Sequence, residues 1–169
     1  MKFKSTLNFI FNYLENNKFK MFKWKLLHFI LPCNELLVQW KVLENNSCNF
    51  CKEIDNYKHF FITCPYNNTY WQEIYKLLLY LKIDRHILRL ENLITGYKIA
   101  DVKYFDINTL ITVIFFSIYK AHFVSNKKES KIEIFKIFKK EIYDIIRLHS
   151  IRNIETGNML LKTSAYCNL

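Results

Sequence analysis

Cys48, Cys51, His59 and Cys64 fall within 17 positions of a 169-residue chain that has only ten cysteines and histidines. Their spacing is C-x2-C-x7-H-x4-C. Two cysteines two residues apart can turn back on one ion from a single tight turn. A histidine and a cysteine separated by four residues can do the same from a second short element. Zinc takes four such ligands at tetrahedral corners, with Zn–S near ~2.3 Å and Zn–N near ~2.0 Å. The intervening KEIDNYK is polar enough to form the connecting loop. Four protein ligands leave no open coordination position, so the expected Zn2+ is structural rather than catalytic. The competing readings are buried cysteines acting as small hydrophobes, or disulfides, which require export and strand an odd thiol.

Three thiolates and one Zn2+ sum to −1, so the expected centre cannot attract phosphate by itself. The chain as a whole carries +10, which favours phosphate-rich or otherwise acidic partners. The charge is unevenly placed. Residues 1–41 carry +5, residues 42–66 carry −1, residues 67–104 carry +2 and residues 105–169 carry +4. The cysteine cluster is an acidic island in a basic chain, so any grip on nucleic acid must come from its flanks. NNKFKMFKWKLLH interleaves Lys18, Lys20, Lys23 and Lys25 with Phe19, Phe22 and Trp24. Lysines can neutralise phosphates while an aromatic face stacks a base. The plainer reading is an amphipathic helix with solvated lysines and core rings, and it is favoured for Phe22 and Leu26. A second basic group, Lys127, Lys128, Lys131, Lys136, Lys139 and Lys140, reads more readily as a solvated face. Glu141 and Asp144 are read as surface acids. His28, His86, His122 and His149 lack ligand-spaced neighbours. Cys33 and Cys167 are expected to be free thiols, with Cys33 an outside candidate for the metal.

The elements that must position these groups are helical. Only two glycines and two prolines are present, against 51% hydrophobic residues, and all-β folds need many tight turns. Apolar spacing predicts helices over 5–17, 18–31, 34–41 with Asn34 as cap, 68–82 and 107–124. Ser130 and Glu133 form a capping box before an amphipathic helix carrying Phe135, Phe138, Ile142 and Ile145. The tail beyond Asn153 shows no strong pattern. The expected fold is mainly α, a helical domain with a small Cys3His module inserted between helices. Residues 1–83 hold the first helices and the module, and residues 84–169 a helical region packed with them. No secretory signal is convincing. INTLITVIFFSIYKAHF, residues 107–123, falls short of the ~20 apolar residues of a membrane span. An intracellular protein, nuclear or cytoplasmic, is expected.

KWKLLHFILPCNELLVQWKV, then CNFC, then HFFITCPYNNTYWQEI resemble the zinc-binding region near the C-terminus of reverse transcriptases of non-LTR retrotransposons. The likeness rests on Lys23, Trp24, Leu26, Leu27, His28, Leu31, Pro32, Leu36, Leu37 and Trp40, then Cys48, Phe50, Cys51, His59, Phe61, Cys64, Pro65 and Trp71. It is close over residues 19–75 and weaker in the downstream helices. It implies a module that helps hold template RNA or target DNA. Paired polymerase aspartates and a nuclease carboxylate set are missing from these residues. The resemblance therefore implies a non-catalytic, nucleic-acid-binding fragment or derivative of such an element, partnered by RNA or single-stranded DNA and by a reverse transcriptase in trans. The rival is a zinc-stapled protein–protein interaction domain.

Overall fold

The structure is a computed structural model, and it describes residues 16–95, 104–128, 133–151 and 158–168. The helix expected over 5–17, apart from its last residues, and the capping serine at 130 lie outside the described residues. Seven α-helices are described: α1 (Asn17–Leu27), α2 (Asn34–Gln39), α3 (Asn68–Tyr80), α4 (Leu90–Thr95), α5 (Tyr104–Lys128), α6 (Ile134–Ile151) and α7 (Asn158–Cys167). The cysteine region lies between α2 and α3. Among the described residues the one β pairing is an isolated antiparallel bridge, Ser47 to Ile54.

The helix ends follow from local chemistry. Asn16 caps α1 by accepting from the Lys18 N–H at 3.1 Å, the ordinary use of asparagine at a helix start. With so few glycines, three helix C-termini put larger residues in the left-handed region: Phe29 (φ 54), Lys41 (φ 60) and Lys82 (φ 57). Each carries the paired closing bonds of a Schellman turn, such as Ile30 N–H to Lys25 O at 2.9 Å and Phe29 N–H to Leu26 O at 3.1 Å. At the start of α2 the sequence expectation is corrected. Cys33 occupies the cap position and has no capping side chain. The Asn34 amide instead donates to Ser47 O at 2.7 Å. The free N–H of Asn34 is taken by the Asp55 carboxylate at 3.0 Å, so the cysteine region itself caps α2.

Helix α5 is the central post. Leu110, Ile111, Val113, Ile114, Phe115 and Ile118 are fully buried, so apolar residues point inward all round it. Two of its buried hydroxyls are satisfied locally, Thr112 on Asn108 O at 2.7 Å and Ser117 on Val113 O at 2.8 Å. Helices α1, α4, α6 and α7 pack around it, and one hydrophobic core runs from Phe19 to Cys167. Among the described residues no helix is long and apolar enough to cross a membrane. Helix α7, which the sequence pattern does not announce, buries Leu160, Thr163 and Cys167.

Two charged residues lie where the sequence does not place them. Glu141 is read from sequence as a surface acid, but it is completely buried. It accepts from Lys120 of α5 at 2.8 Å and ion-pairs with Lys18 of α1, which also lies 4.0 Å from Asp144. Lys23, expected to meet phosphate, is 2% exposed and its ammonium donates to Leu93 O of α4. A buried ammonium cannot reach a phosphate, so Lys23 leaves the expected basic patch.

Both placements have measurable consequences. Removing one member of a buried ion pair strands its partners, at a cost of about 3 kcal/mol or more. Glu141→Ala is expected to lower the urea midpoint by that order, and a change under about 0.5 kcal/mol, the range of an ordinary surface substitution, would show the network to be idle. Burial lowers the Lys23 pKa from 10.5 to about 7. The unfolded chain therefore binds more protons than the folded one between pH 7 and 10.5, and the cost of folding over this lysine is full below that window. Stability gains at most about 1.4 kcal/mol per pH unit across it. Relative to the parent, Lys23→Met is expected to lose its advantage as pH rises from 7 to 10, and a pH-independent difference would refute the assignment.

Candidate metal centre

Two short elements bring the ligands together. The first is a hairpin-like turn. Cys48 N–H donates to Glu53 O at 2.7 Å, Lys52 N–H returns to Cys48 O at 3.0 Å, and Lys52 takes φ 68 to close the loop. Cys48 and Cys51 thus sit on one tight bend. The N–H groups of Phe50 and Cys51 bond to the Cys48 sulfur, and that of Tyr66 to the Cys64 sulfur. Such bonds favour thiolate, the form a metal requires.

The second element is a π-helical turn, His59–Thr63. His59 and Cys64 are five residues apart, and on an α-helix they would lie roughly 140° apart around the axis. The wider turn, closed by Cys64 N–H to His59 O at 3.0 Å, returns them to one side. Asn56 starts the turn by accepting from His59 N–H at 2.9 Å. Pro65 then forces Cys64 into extended backbone (φ −64, ψ 123) and begins a 3-10 turn, which stops the π turn at the ligand.

The four ligand atoms lie within 4.8 Å of one another. Cys48 Sγ and Cys64 Sγ are 3.8 Å apart, and Cys51 Sγ and His59 Nε2 are 3.2 Å apart. A tetrahedron with Zn–S bonds of ~2.3 Å has S···S edges of about 3.8 Å. Donor type, number and spacing fit Zn2+. The hydrogen bond from Cys64 pulls the Cys48 thiol down to about 4, against an opposing push from burial. The same bond drives Cys64 far up. A cation bound between these two sulfurs would compete with that hydrogen bond. Cys33 lies outside the cluster. Burial raises its thiol to about 11, which makes it an inert core residue.

The supporting shell was not visible in the sequence. The π turn withdraws the Phe60 and Phe61 carbonyls from regular helical bonding. Asn67, fully buried, donates to Phe60 O at 2.9 Å and Phe61 O at 3.4 Å, and Trp71 Nε1 adds a bond to Phe61 O at 3.2 Å. The Asn67 carbonyl faces His122 Nε2 at 3.0 Å, which sets the proton on that nitrogen. Burial lowers His122 to about 4, so the ring is neutral. It sits among Phe50 at 5.0 Å, Phe60 at 4.4 Å and Tyr66 at 5.2 Å, and so fastens the ligand turns to α5. The signals were slight: a lone histidine on an apolar helix face, and an asparagine just after Cys-Pro. Asp55 is 5% exposed and caps α2.

Of the other candidate residues, Lys18 is engaged with Glu141 and Lys23 is buried. Lys20 and Lys25 are half-exposed, with no ion pair among the described residues. Trp24 is half-buried against His28, ring centres 4.6 Å apart. The structure does not gather these five side chains into one patch. Lys127, Lys128 and Lys131 have side chains outside the described residues.

Residues 2–71 match a family whose description is zinc-binding in reverse transcriptase. The segment is similar to the reverse transcriptase zinc-binding domain. That span contains all four ligands, both turns, Asn67 and the Trp71 indole. The match is to a zinc-binding domain and not to a catalytic one. No curated protein and no solved structure matches the chain.

In structural zinc sites of this donor set the metal contributes on the order of 10 kcal/mol to folding, comparable to the whole stability of a typical domain. Metal analysis is expected to find one zinc per chain, taken up with release of protons. Cys51→Ser and a strong chelator should each lower the melting temperature sharply. Melting that responds to neither would reject the staple.

Proposed function

We propose that the protein is a non-catalytic nucleic-acid-binding module, folded around one structural Zn2+, that holds RNA or single-stranded DNA. The observation that carries this reading is the closed Cys3His cluster within a segment similar to the zinc-binding domain of reverse transcriptases. The cluster offers no open position for substrate. A net charge of +10 supports a polyanionic partner. The resemblance to the zinc-binding region of non-LTR retrotransposon reverse transcriptases supports a role inside the cell beside a polymerase.

A second reading, a protein-docking domain, is favoured by a separate observation. The zinc module and its neighbours expose Phe29 (58%), Val42 (64%), Ile54 (55%) and Trp40 (45%). Lysines of such a domain would be solvated and without a phosphate partner.

Salt separates the two. Each phosphate neutralised on a single strand steepens log K against log[salt] by about 0.7. The zinc-loaded chain is expected to bind a labelled oligouridylate or oligothymidylate with affinity that falls steeply from low to physiological salt. No measurable binding at low salt would overturn the nucleic-acid reading and leave the docking domain.

A further inference from the structure

Helix α6 sorts its side chains by direction. At 100° per residue, Ile134, Phe138, Glu141, Ile142, Ile145 and His149 fall on one side, and all six are buried. Opposite them Lys136, Lys140, Tyr143, Arg147 and Ser150 fall within an arc of about 80°, and all five are exposed. The helix has two acids, and neither is on that face. Glu141 is buried, and Asp144 is half-buried 4.0 Å from Lys18. Glu133, just before the helix, pairs with Lys136 at 2.9 Å across two exposed side chains, a contact of little energy. Lys139 is half-buried at the edge of the arc. Successive members of the row are one helical turn apart, about 5–6 Å between β-carbons. Between Lys140 and Arg147 stands Tyr143, 50% exposed, its ring in contact with no other ring among the described residues.

We propose that this face of α6 is the surface on which a single strand lies, with phosphates on Lys136, Lys140 and Arg147 and an unpaired base on the Tyr143 ring. The proposal rests on the nucleic-acid reading above and locates its contact surface. Two arguments bring it to α6 rather than α1. Lys18 of α1 is paired with the buried Glu141 and Lys23 is itself buried, while the α6 row carries three outward cations and no acid. The apolar side of α6 is already occupied by the core, so the helix cannot lay that side on a membrane. An aromatic ring set among cations favours a strand whose bases are free to stack, because paired bases do not offer their faces. The cation row alone would also suit an acidic protein, which the experiment discriminates.

The test uses the full zinc-loaded chain and fluorescence anisotropy with a labelled oligouridylate or oligothymidylate over a salt series. Competitors are a duplex of equal length and polyglutamate. Because every substituted residue is exposed, the variants should melt with the parent, and this is checked first. Lys136→Ser, Lys140→Ser and Arg147→Ser combined are expected to reduce the salt slope by about 2, three single-strand phosphates at ~0.7 each. Tyr143→Ala should weaken binding about ten-fold and leave the slope unchanged. If the parent binds but the triple variant binds equally well with the same slope, the α6 surface is wrong and the nucleic-acid reading stands. If the parent binds no nucleic acid even at low salt, the reading itself fails and the α6 proposal with it. Duplex competing as well as single strand, with Tyr143→Ala silent, would overturn the stacking role. Polyglutamate displacing the probe better than nucleic acid would overturn the choice of partner.

Discussion

Three cysteine sulfurs and an imidazole nitrogen lie within 4.8 Å of one another, and three thiolates at that spacing would need a cation to hold them. The local structure of residues 47–71 follows from meeting that demand with the spacing available. A five-residue interval from His59 to Cys64 requires a π turn, and the π turn takes two carbonyls out of regular pairing. Buried unpaired carbonyls cost about 1–3 kcal/mol each, so Asn67 and the Trp71 indole are drawn in to satisfy them. Asn67 then needs a donor for its own oxygen, and His122 of α5 supplies it. Four steps thus connect the ligand set to the central helix, each forced by the polar group that the previous one left over.

A second polar network connects the first described helix to α5 and α6. Glu141 is buried between α1, α5 and α6 and is reached by Lys18 and Lys120. Buried charges of this kind add little net stability compared with apolar packing, but they penalise every arrangement that separates the partners. Helix α1, which leads into the zinc-binding turns, is thereby registered against α6. The same network pairs Lys18 with a carboxylate, which is why a count of lysines along α1 overstates its attraction for phosphate.

What the sequence revealed was mostly local. The ligand set was legible because zinc imposes short intervals between ligands, and Cys48, Cys51, His59 and Cys64 all meet in space. The apolar stripe of α6 and the all-round burial of α5 were legible for a similar reason, since helical periodicity repeats within a few turns. The failures are contacts across long intervals. Lys23 occupies a polar position in an ordinary amphipathic pattern, and only α4, 70 residues on, takes its ammonium. Glu141 looks like a surface acid until α1 and α5 are placed against it. Asp55 sits in a loop of suitable polarity, yet its carboxylate caps a helix 21 residues earlier. Helix α7 escaped because its small buried side, Leu160, Thr163 and Cys167, mixes one leucine with polar types.

These features divide the work between metal and surface. A closed Cys3His site with three thiolates carries −1 and sits in the most acidic segment of the chain, so electrostatics would drive a polyanion away from the ion. The ion can matter to such a partner only through shape. Bound there, it would fix the turn that meets Asn67 and His122; these hold the turn to α5, and α5 presents Lys120 to the buried carboxylate of α6. Because α6 is anchored by its inward acid, its cations and Tyr143 are left facing solvent on the opposite side. An arrangement in which the acid turned outward would neutralise that row. Burying Glu141 therefore does two things at once: it ties three helices together, and it leaves the outer face of α6 free of acidic side chains.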